Sequence, residues 1–158
     1  MINTNTNTNT NNNIYLDLWK EVKSRDYNKF YRELEKDFNI KIDNEIQEFI
    51  HNLALTTQIT IKRSRMLYLH GFVLYSSLLN YLKSNKSNIS DKSNKPISIL
   101  ETGTARGFSS LVMAKAIDVY LNTMDTELMP SDIPKIYTID HQMKFKNGIV
   151  MVIQGKHY

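Results

Sequence analysis

One stretch in the second half of the chain restricts the possible folds more than any other part of the sequence. A mainly apolar run, Ile97–Leu100, ends in Glu101, and a turn containing Gly103 and Gly107 follows directly. The apolar positions after the turn have the spacing of an amphipathic helix that ends near Leu121. A strand, a glycine turn and a helix in this order are typical of a parallel sheet with a ligand site at the carboxyl end of its first strand. The sequence therefore predicts an α/β fold.

The spacing of the two glycines distinguishes this turn from the common phosphate-binding turns. The pattern from Gly103 to Gly107 is G-x-x-x-G, whereas the dinucleotide motif is G-x-G-x-x-G and the phosphate loop ends in Gly-Lys-Ser/Thr. A glycine at either position lets a ligand or a helix approach the backbone closely, because it has no Cβ. The pattern therefore favours a ligand-binding turn and disfavours a phosphate loop.

The residues of this stretch resemble the first motif of class I S-adenosylmethionine-dependent methyltransferases. The variant E-x-G-T-x-x-G-x-S, seen in small-molecule O-methyltransferases of the catechol and caffeoyl type, is similar to Glu101–Ser109. A second match is Lys135–Asp140, which has the pattern of a strand that ends in an acid. The resemblance covers residues 97–141 and is specific, because two motifs occur in the family's order with one helix between them.

The resemblance implies roles for the residues of both motifs. Glu101 would orient the glycine turn and the methionine end of S-adenosylmethionine, and Ser109 would cap the helix or contact the cofactor's carboxylate. Asp140 would accept hydrogen bonds from both ribose hydroxyls. Backbone contacts to the cofactor would come from Gly103, Thr104, Ala105 and Gly107. Acids also end strands simply to face solvent, and Arg106 departs from the small or aromatic residue of the family.

The implied activity is methyl transfer from S-adenosylmethionine to a small-molecule acceptor. The implied fold consists of N-terminal helices followed by the first β-α-β unit of a Rossmann-like methyltransferase fold, with an incomplete sheet. The family's sheet has seven strands, and residues 97–141 account for only two of them. No catalytic residue is nominated, because the later strands of the family carry the acceptor site.

Composition excludes several other classes of function. The chain of 158 residues is long enough for one domain with a core, and its 41% hydrophobic content is ordinary for a globular protein. It has no cysteine, which excludes disulfides, thiolate catalysis and cysteine-ligated metals. Because no run of about eighteen apolar residues and no signal-peptide pattern occur, the sequence predicts a cytoplasmic protein without membrane contact.

The polar segments of the chain are expected to be solvated. Residues 1–13, rich in Asn and Thr, are predicted to be a disordered tail. Residues 84–96 are predicted to be a flexible linker, and its lysines lack interleaved aromatics, so a net charge of +4 does not indicate a nucleic-acid partner. Three acids between the two motifs are expected to be solvated rather than metal ligands: Asp125, Glu127 and Asp132.

Residues 14–83 are predicted to form a helical region. The apolar spacing indicates helices on both sides of a break at Arg25-Asp26. A further helix is capped by Asp43 or Asn44, and its buried stripe is predicted to be Ile46, Phe49, Ile50 and Leu53.

The last helix of this region is predicted to run from about Ile61 to Leu82. One of its faces holds Met66, Leu69, Val73, Leu74, Ser77, Leu78 and Tyr81. Gly71 costs this helix about 1 kcal/mol relative to alanine, so a close helix crossing is predicted there. By resemblance, Arg65, His70 and Tyr75 are candidates for the cofactor pocket. The favoured alternatives are a surface arginine, a hydrogen-bonded histidine and a packed tyrosine.

Residues 142–158 form an atypical tail in which the resemblance ends. Only residues 141–148 separate Asp140 from the apolar run that starts at Ile149, which is too short for a parallel crossover. Asn147-Gly148 favours a hairpin, so the run either returns antiparallel or is an unrelated tail. The expectation is a methyltransferase domain truncated after its second strand.

Two other classes of function stay open. A non-catalytic fragment or helper subunit would bind a partner, or a further copy, through its helices and its open sheet edge. A fragment of a nicotinamide-dependent oxidoreductase would use Asp140 on the ribose of that cofactor, although the glycine spacing disfavours it.

Overall fold

The structure is a computed structural model that describes residues 8–60, 66–85, 97–103, 105–124, 133–139 and 151–153, with the backbone alone for 8–13 and 151–153. The helices are α1 (Thr8–Lys23), α2 (Asn28–Phe38), α3 (Asn44–Thr57), α4 (His70–Ser84) and α5 (Phe108–Leu121). The strands are β1 (Ser98–Thr102), β2 (Lys135–Ile139) and β3 (Met151–Ile153). The predicted mixed α/β class is confirmed.

Helix α1 begins inside the segment that the sequence predicts to be disordered. It starts at Thr8, so the prediction of disorder over residues 1–13 does not hold from Thr8 onwards, and residues 1–7 lie outside the described residues. Asn and Thr are weak helix formers, but adding a residue to an existing helix is much easier than starting one. The predicted break at Arg25-Asp26 is confirmed, because α1 ends at Lys23 and α2 begins at Asn28.

Helix α3 agrees with its sequence pattern. The Asp43 carboxylate accepts a hydrogen bond from the backbone N–H of Ile46 at 3.0 Å, which confirms the predicted cap. Ile46 and Ile50 are buried, and Phe49 and Leu53 pack partly against the same core. Periodicity was sufficient here because α3 has one clearly apolar face.

Helix α4 differs from its prediction in both its start and its buried face. It begins at His70 rather than near Ile61, residues 66–69 are not helical, and residues 61–65 lie outside the described part of the chain. Leu69, Leu74 and Leu78, from the face singled out by sequence, pack partly against the core. Val73 and Tyr81, from the same face, are 39% and 52% exposed. The fully buried residues of α4 are on the other face: Gly71, Phe72, Tyr75, Ser76, Leu79 and Leu82. Apolar residues occur on both faces, so periodicity alone does not select one of them.

Gly71 explains which face of α4 is buried. A Cβ at this position would lie 2.7 Å from Cζ of Phe108 and 3.2 Å from Cγ2 of Ile50. The first turn of α4 therefore packs against α3 and the start of α5 at a distance that only glycine permits. The predicted close helix crossing is confirmed.

The sheet contains one parallel and one antiparallel pair of strands, in the order β1-β2-β3. Strand β1 pairs in parallel with β2, from Ser98 opposite Lys135 to Thr102 opposite Ile139. Strand β3 pairs antiparallel with β2 and places Val152 opposite Tyr137. Of the two alternatives left open for the last apolar run, Met151–Ile153 follows the antiparallel return rather than the unrelated tail. A complete Rossmann-like sheet is not what these three strands form.

The helices and the parallel strands share one core. A single cluster of buried side chains includes residues of α1 to α5 and of β2: Val22, Leu34, Ile50, Phe72, Val112 and Ile136. The other side of the sheet is more accessible, because Leu100 is 65% and Ile139 is 42% exposed. The described elements therefore bury one face of the parallel pair and leave apolar side chains accessible on the other, although parallel sheets are commonly covered on both faces.

Candidate functional site

The turn between β1 and α5 has the backbone geometry that its glycines allow. Gly103 and Gly107 have φ angles of 77° and 78°, and Ala105 between them has a φ of 47°. These values lie in the left-handed region, which is unfavourable for a residue with a Cβ. The backbone conformation of the turn thus favours glycine at these two positions, whereas Ala105 adopts the left-handed region at a conformational cost.

Space is available around both motif glycines. Apart from the chain neighbours of each glycine, no atom of the described residues lies within 4 Å of a Cβ built at Gly103, and the one such atom near a Cβ built at Gly107 is Cδ1 of Leu111, at 4.0 Å. Ala105 and Arg106 are exposed. The described residues therefore leave the outer side of the turn accessible to a ligand that contacts the backbone.

A hydrogen bond fixes the turn to the end of the neighbouring strand. The backbone N–H of Gly103 donates to the carbonyl oxygen of Ile139 at 2.8 Å. The carboxyl ends of β1 and β2 therefore meet beside the turn, which is where α/β sheets bind ligands. Two predicted cofactor residues, Thr104 and Asp140, lie outside the described residues.

The Glu101 side chain is held from α5. Its carboxylate accepts a hydrogen bond from the hydroxyl of Ser110, which is fully buried, while Glu101 itself is half-buried. Alternation along β1 places Glu101 on the same face as the half-buried Ile99. The motif does not include Ser110, although its place in the first turn of α5 is a signal that its side chain can turn back towards β1.

Ser109 does not cap helix α5. The N-cap residue is Gly107, which as a glycine has no side chain to cap that end of the helix. Ser109 comes after the first helical residue and is half-buried. Of the two roles that the resemblance implies for Ser109, contact with the carboxylate of a cofactor stays a prediction.

The pocket candidates of the helical region are placed differently from one another. Tyr75 is 1% exposed, and burial raises its pKa to about 12. It is therefore a packed tyrosine, which was the favoured alternative to a role in the cofactor pocket. His70 is exposed at the start of α4, and its ring lies edge-on to Phe108 with 5.0 Å between ring centroids. Since Phe108 directly follows Gly107, the described structure brings His70 close to the turn. Arg65 lies outside the described residues.

A buried polar cluster in the helical region was not anticipated from the sequence. Nε2 of His51 lies 3.3 Å from the hydroxyl of Tyr31, and Nδ1 lies 2.7 Å from the hydroxyl of Tyr68. Trp19 donates its indole N–H to the carbonyl oxygen of His51 at 2.6 Å. The cluster joins α1, α2, α3 and the segment before α4. Its only sequence signal is the position of His51 beside Ile50, on the predicted buried stripe.

Burial controls the protonation of this cluster. Desolvation lowers the pKa of His51, the charge of Lys23 lowers it further, and Glu48 opposes the shift. Desolvation also raises the pKa of Tyr31 and of Tyr68. All three side chains are therefore neutral near pH 7, and the cluster serves to connect helices rather than to present a charge.

The described part of the chain contains neither a candidate metal-binding group nor a candidate membrane-spanning helix. Among residues 8–60, 66–85, 97–103, 105–124, 133–139 and 151–153, no group of three His, Cys, Asp or Glu side chains is arranged to hold a metal ion. The three acids considered above, Asp125, Glu127 and Asp132, lie outside these residues. None of the helices described here is both long and apolar enough to cross a membrane.

The candidate site thus consists of the glycine turn, the Glu101 carboxylate with Ser110 behind it, and the end of β2. His70, at the start of α4, lies beside this site, because its ring packs edge-on against Phe108, the first residue of α5. No protein-family model, no curated protein and no solved structure matches the chain. A function for this site therefore has to be inferred from its own residues and geometry.

Proposed function

We propose that the chain binds S-adenosylmethionine at the turn between β1 and α5 and that its activity is methyl transfer to a small-molecule acceptor. The observation that carries the proposal is the conformation of this turn. Both motif glycines adopt left-handed φ angles, at the carboxyl end of a parallel pair of strands, with space outside their backbone. The same turn carries Glu101–Ser109, the sequence that resembles the first motif of class I methyltransferases.

The residues of the turn suit a cofactor without phosphate groups. S-adenosylmethionine supplies an activated methyl group on a sulfonium, and a protein accelerates its transfer by holding donor and acceptor in line and excluding water. Glu101 offers a carboxylate for the methionine ammonium group, and Asp140 offers one for the ribose hydroxyls. The turn needs no lysine or anion-binding nest for this ligand, and the segment from Glu101 to Ser109 contains no lysine.

A binding titration tests the proposal. The purified chain is expected to bind S-adenosylhomocysteine saturably by calorimetry, with a Kd on the order of ten micromolar. Asp140→Ala should weaken binding at least about tenfold, because both ribose hydroxyls lose their acceptor. The matched control is Asp37→Ala, which removes an exposed carboxylate of α2 and should leave the affinity unchanged.

Two outcomes of this titration would contradict the proposal. One is the absence of saturable binding by a folded chain, and the other is equal affinity for the Asp140→Ala variant and the unaltered chain. A competition titration with a nicotinamide dinucleotide distinguishes the proposed S-adenosylmethionine site from the site of a nicotinamide-dependent oxidoreductase. Under the proposal, the dinucleotide does not displace S-adenosylhomocysteine.

The exposure of the sheet favours a second candidate function, that of a non-catalytic subunit whose sheet a partner completes. Strand β1 lies at the edge of the described sheet, and Leu100 on its accessible face is 65% exposed. Unpaired edges and apolar faces favour association. Light scattering of the purified chain should then give a mass above the 18.5 kDa of one copy. Methyl transfer by a monomeric chain would contradict this candidate.

A further inference from the structure

The hydroxyl of Ser110 makes a contact that the motif resemblance does not assign. It donates a hydrogen bond to Oε2 of Glu101, and Ser110 is fully buried. The serine of the motif is its neighbour, Ser109, which is half-buried. Hydrogen bonds to a charged acceptor are stronger than those between neutral groups, so this bond has the strength to fix a side chain.

The hydrogen bond closes the base of the turn. Glu101 lies near the carboxyl end of β1, and Ser110 lies in the first turn of α5, so the bond links the two elements that the turn connects. On the side of β2, the bond from Gly103 N–H to Ile139 O fixes the turn a second time. The position of the Glu101 carboxylate is therefore set by α5 as well as by its own strand.

Burial alone does not force a serine hydroxyl of this chain into such a bond. Ser76 in α4 is equally buried at 0% exposure, and its hydroxyl has no hydrogen-bond partner among the described residues. The pairing of Ser110 with Glu101 is thus a specific feature of the turn. Ser76 is also a control of the same residue type and burial.

We infer that Ser110 is a positioning residue, which holds the Glu101 carboxylate in place for the methionine ammonium group of the cofactor. The inference rests on the proposed function, because it assigns one part of the proposed ligand to Glu101. Ser110 acts through Glu101 and does not contact the cofactor. Loss of its hydroxyl releases the carboxylate, which then has to be ordered when the ligand binds.

The test measures S-adenosylhomocysteine affinity in a set of matched variants. Ser110→Ala should weaken binding about tenfold, whereas Ser76→Ala should change it less than about twofold. In a Glu101→Ala background, Ser110→Ala should cause no additional loss, because the residue acts only through that carboxylate. Ser110→Thr, which retains the hydroxyl, should recover most of the affinity.

A second measurement on the unliganded chain separates this inference from the proposed function. Ser110→Ala should shift the backbone amide resonances of Gly103 and Gly107 in a nitrogen-15 NMR spectrum, whereas Ser76→Ala should leave them in place. If the unaltered chain binds no S-adenosylhomocysteine, the proposed function fails, and the amide shifts still decide the role of Ser110. Unshifted glycine amides in Ser110→Ala overturn the inference. Losses of affinity that add in the double variant overturn it as well.

Discussion

Gly107 shows at the scale of one residue how sequence and backbone conformation are connected. It has a φ of 78° and is the N-cap residue of α5, to which it contributes no side-chain cap. A built Cβ has space, since its nearest neighbour is Cδ1 of Leu111 at 4.0 Å. The cost of a side chain at this position is therefore conformational rather than steric.

Gly107→Ala is expected to destabilise the chain by about 1–2 kcal/mol, because alanine pays for the left-handed conformation. Chemical denaturation should show the loss as a lower midpoint with an unchanged slope. Ala105→Gly is the matched control, since Ala105 has a φ of 47° and glycine relieves its strain. A fully stable Gly107→Ala variant would mean that residue 107 is not left-handed.

At the scale of secondary-structure elements, the close packing of α4 against α5 is the main contact between the N-terminal helices and the β1–turn–α5 unit. The contact depends on Gly71, where a Cβ would lie 2.7 Å from the Phe108 ring. Phe108 begins α5 immediately after the turn, and its ring also contacts Tyr68 and His70. The first turn of α5 is therefore packed against α4 and the segment before it.

The Gly71→Ala variant distinguishes the effect of packing on stability from the effect of helix propensity, because the two effects have opposite signs. Propensity alone predicts a gain of about 1 kcal/mol, but the clash with Phe108 predicts a net loss of about 1–3 kcal/mol. Thermal unfolding should show a lower Tm for Gly71→Ala and little change for Ser77→Ala on the same helix. A raised Tm for Gly71→Ala would contradict the close approach of α4 to α5.

The elements also show which parts of the fold were predictable. The unit β1–turn–α5 was predictable because its signals are local: an apolar run, glycines where the backbone turns left-handed, and a helical period. The cap of α3 at Asp43 is local in the same sense. The buried face of α4 was not predictable, because the choice between two apolar faces depends on Phe108, which is distant in sequence.

The candidate site was predictable in part for the same reason. The motif identifies Glu101, Gly103 and Gly107, and the structure places these three together at the turn. Ser110 was missed because its partner is on another element, and His51 because its partners, Tyr31 and Tyr68, belong to two other segments. Pairing across elements leaves no periodic signal in the sequence.

For the whole molecule, the hydrogen bonds of His51 predict how stability varies with pH. Burial lowers the pKa of His51 below its ordinary value of about 6.5, so the folded chain holds this side chain neutral. As pH falls below the ordinary value, the unfolded chain takes up a proton more readily than the folded chain. Stability from this residue is therefore complete above pH ~6.5 and is lost as pH decreases towards the lower pKa of the folded state.

Denaturation midpoints measured between about pH 7.5 and 5 should fall with decreasing pH, and part of this fall should disappear in His51→Gln. That variant should also be less stable near pH 7, because Tyr31 and Tyr68 lose their shared partner. His70→Gln, which changes an exposed histidine, should retain the pH dependence of the unaltered chain. Identical pH profiles for His51→Gln and the unaltered chain would show that His51 does not cause this part of the pH dependence of stability.

Whether the turn between β1 and α5 binds S-adenosylmethionine can be decided by locating the ligand on the protein. S-adenosylhomocysteine is titrated into nitrogen-15-labelled protein while the backbone amide resonances are followed. If the ligand binds at the turn, the amides of Gly103, Ala105 and Gly107 should shift saturably. The resonances of Tyr31 and His51, which lie in the buried cluster of the helical region, should stay unchanged. The absence of saturable shifts, or shifts confined to residues away from the turn, would contradict binding at the turn.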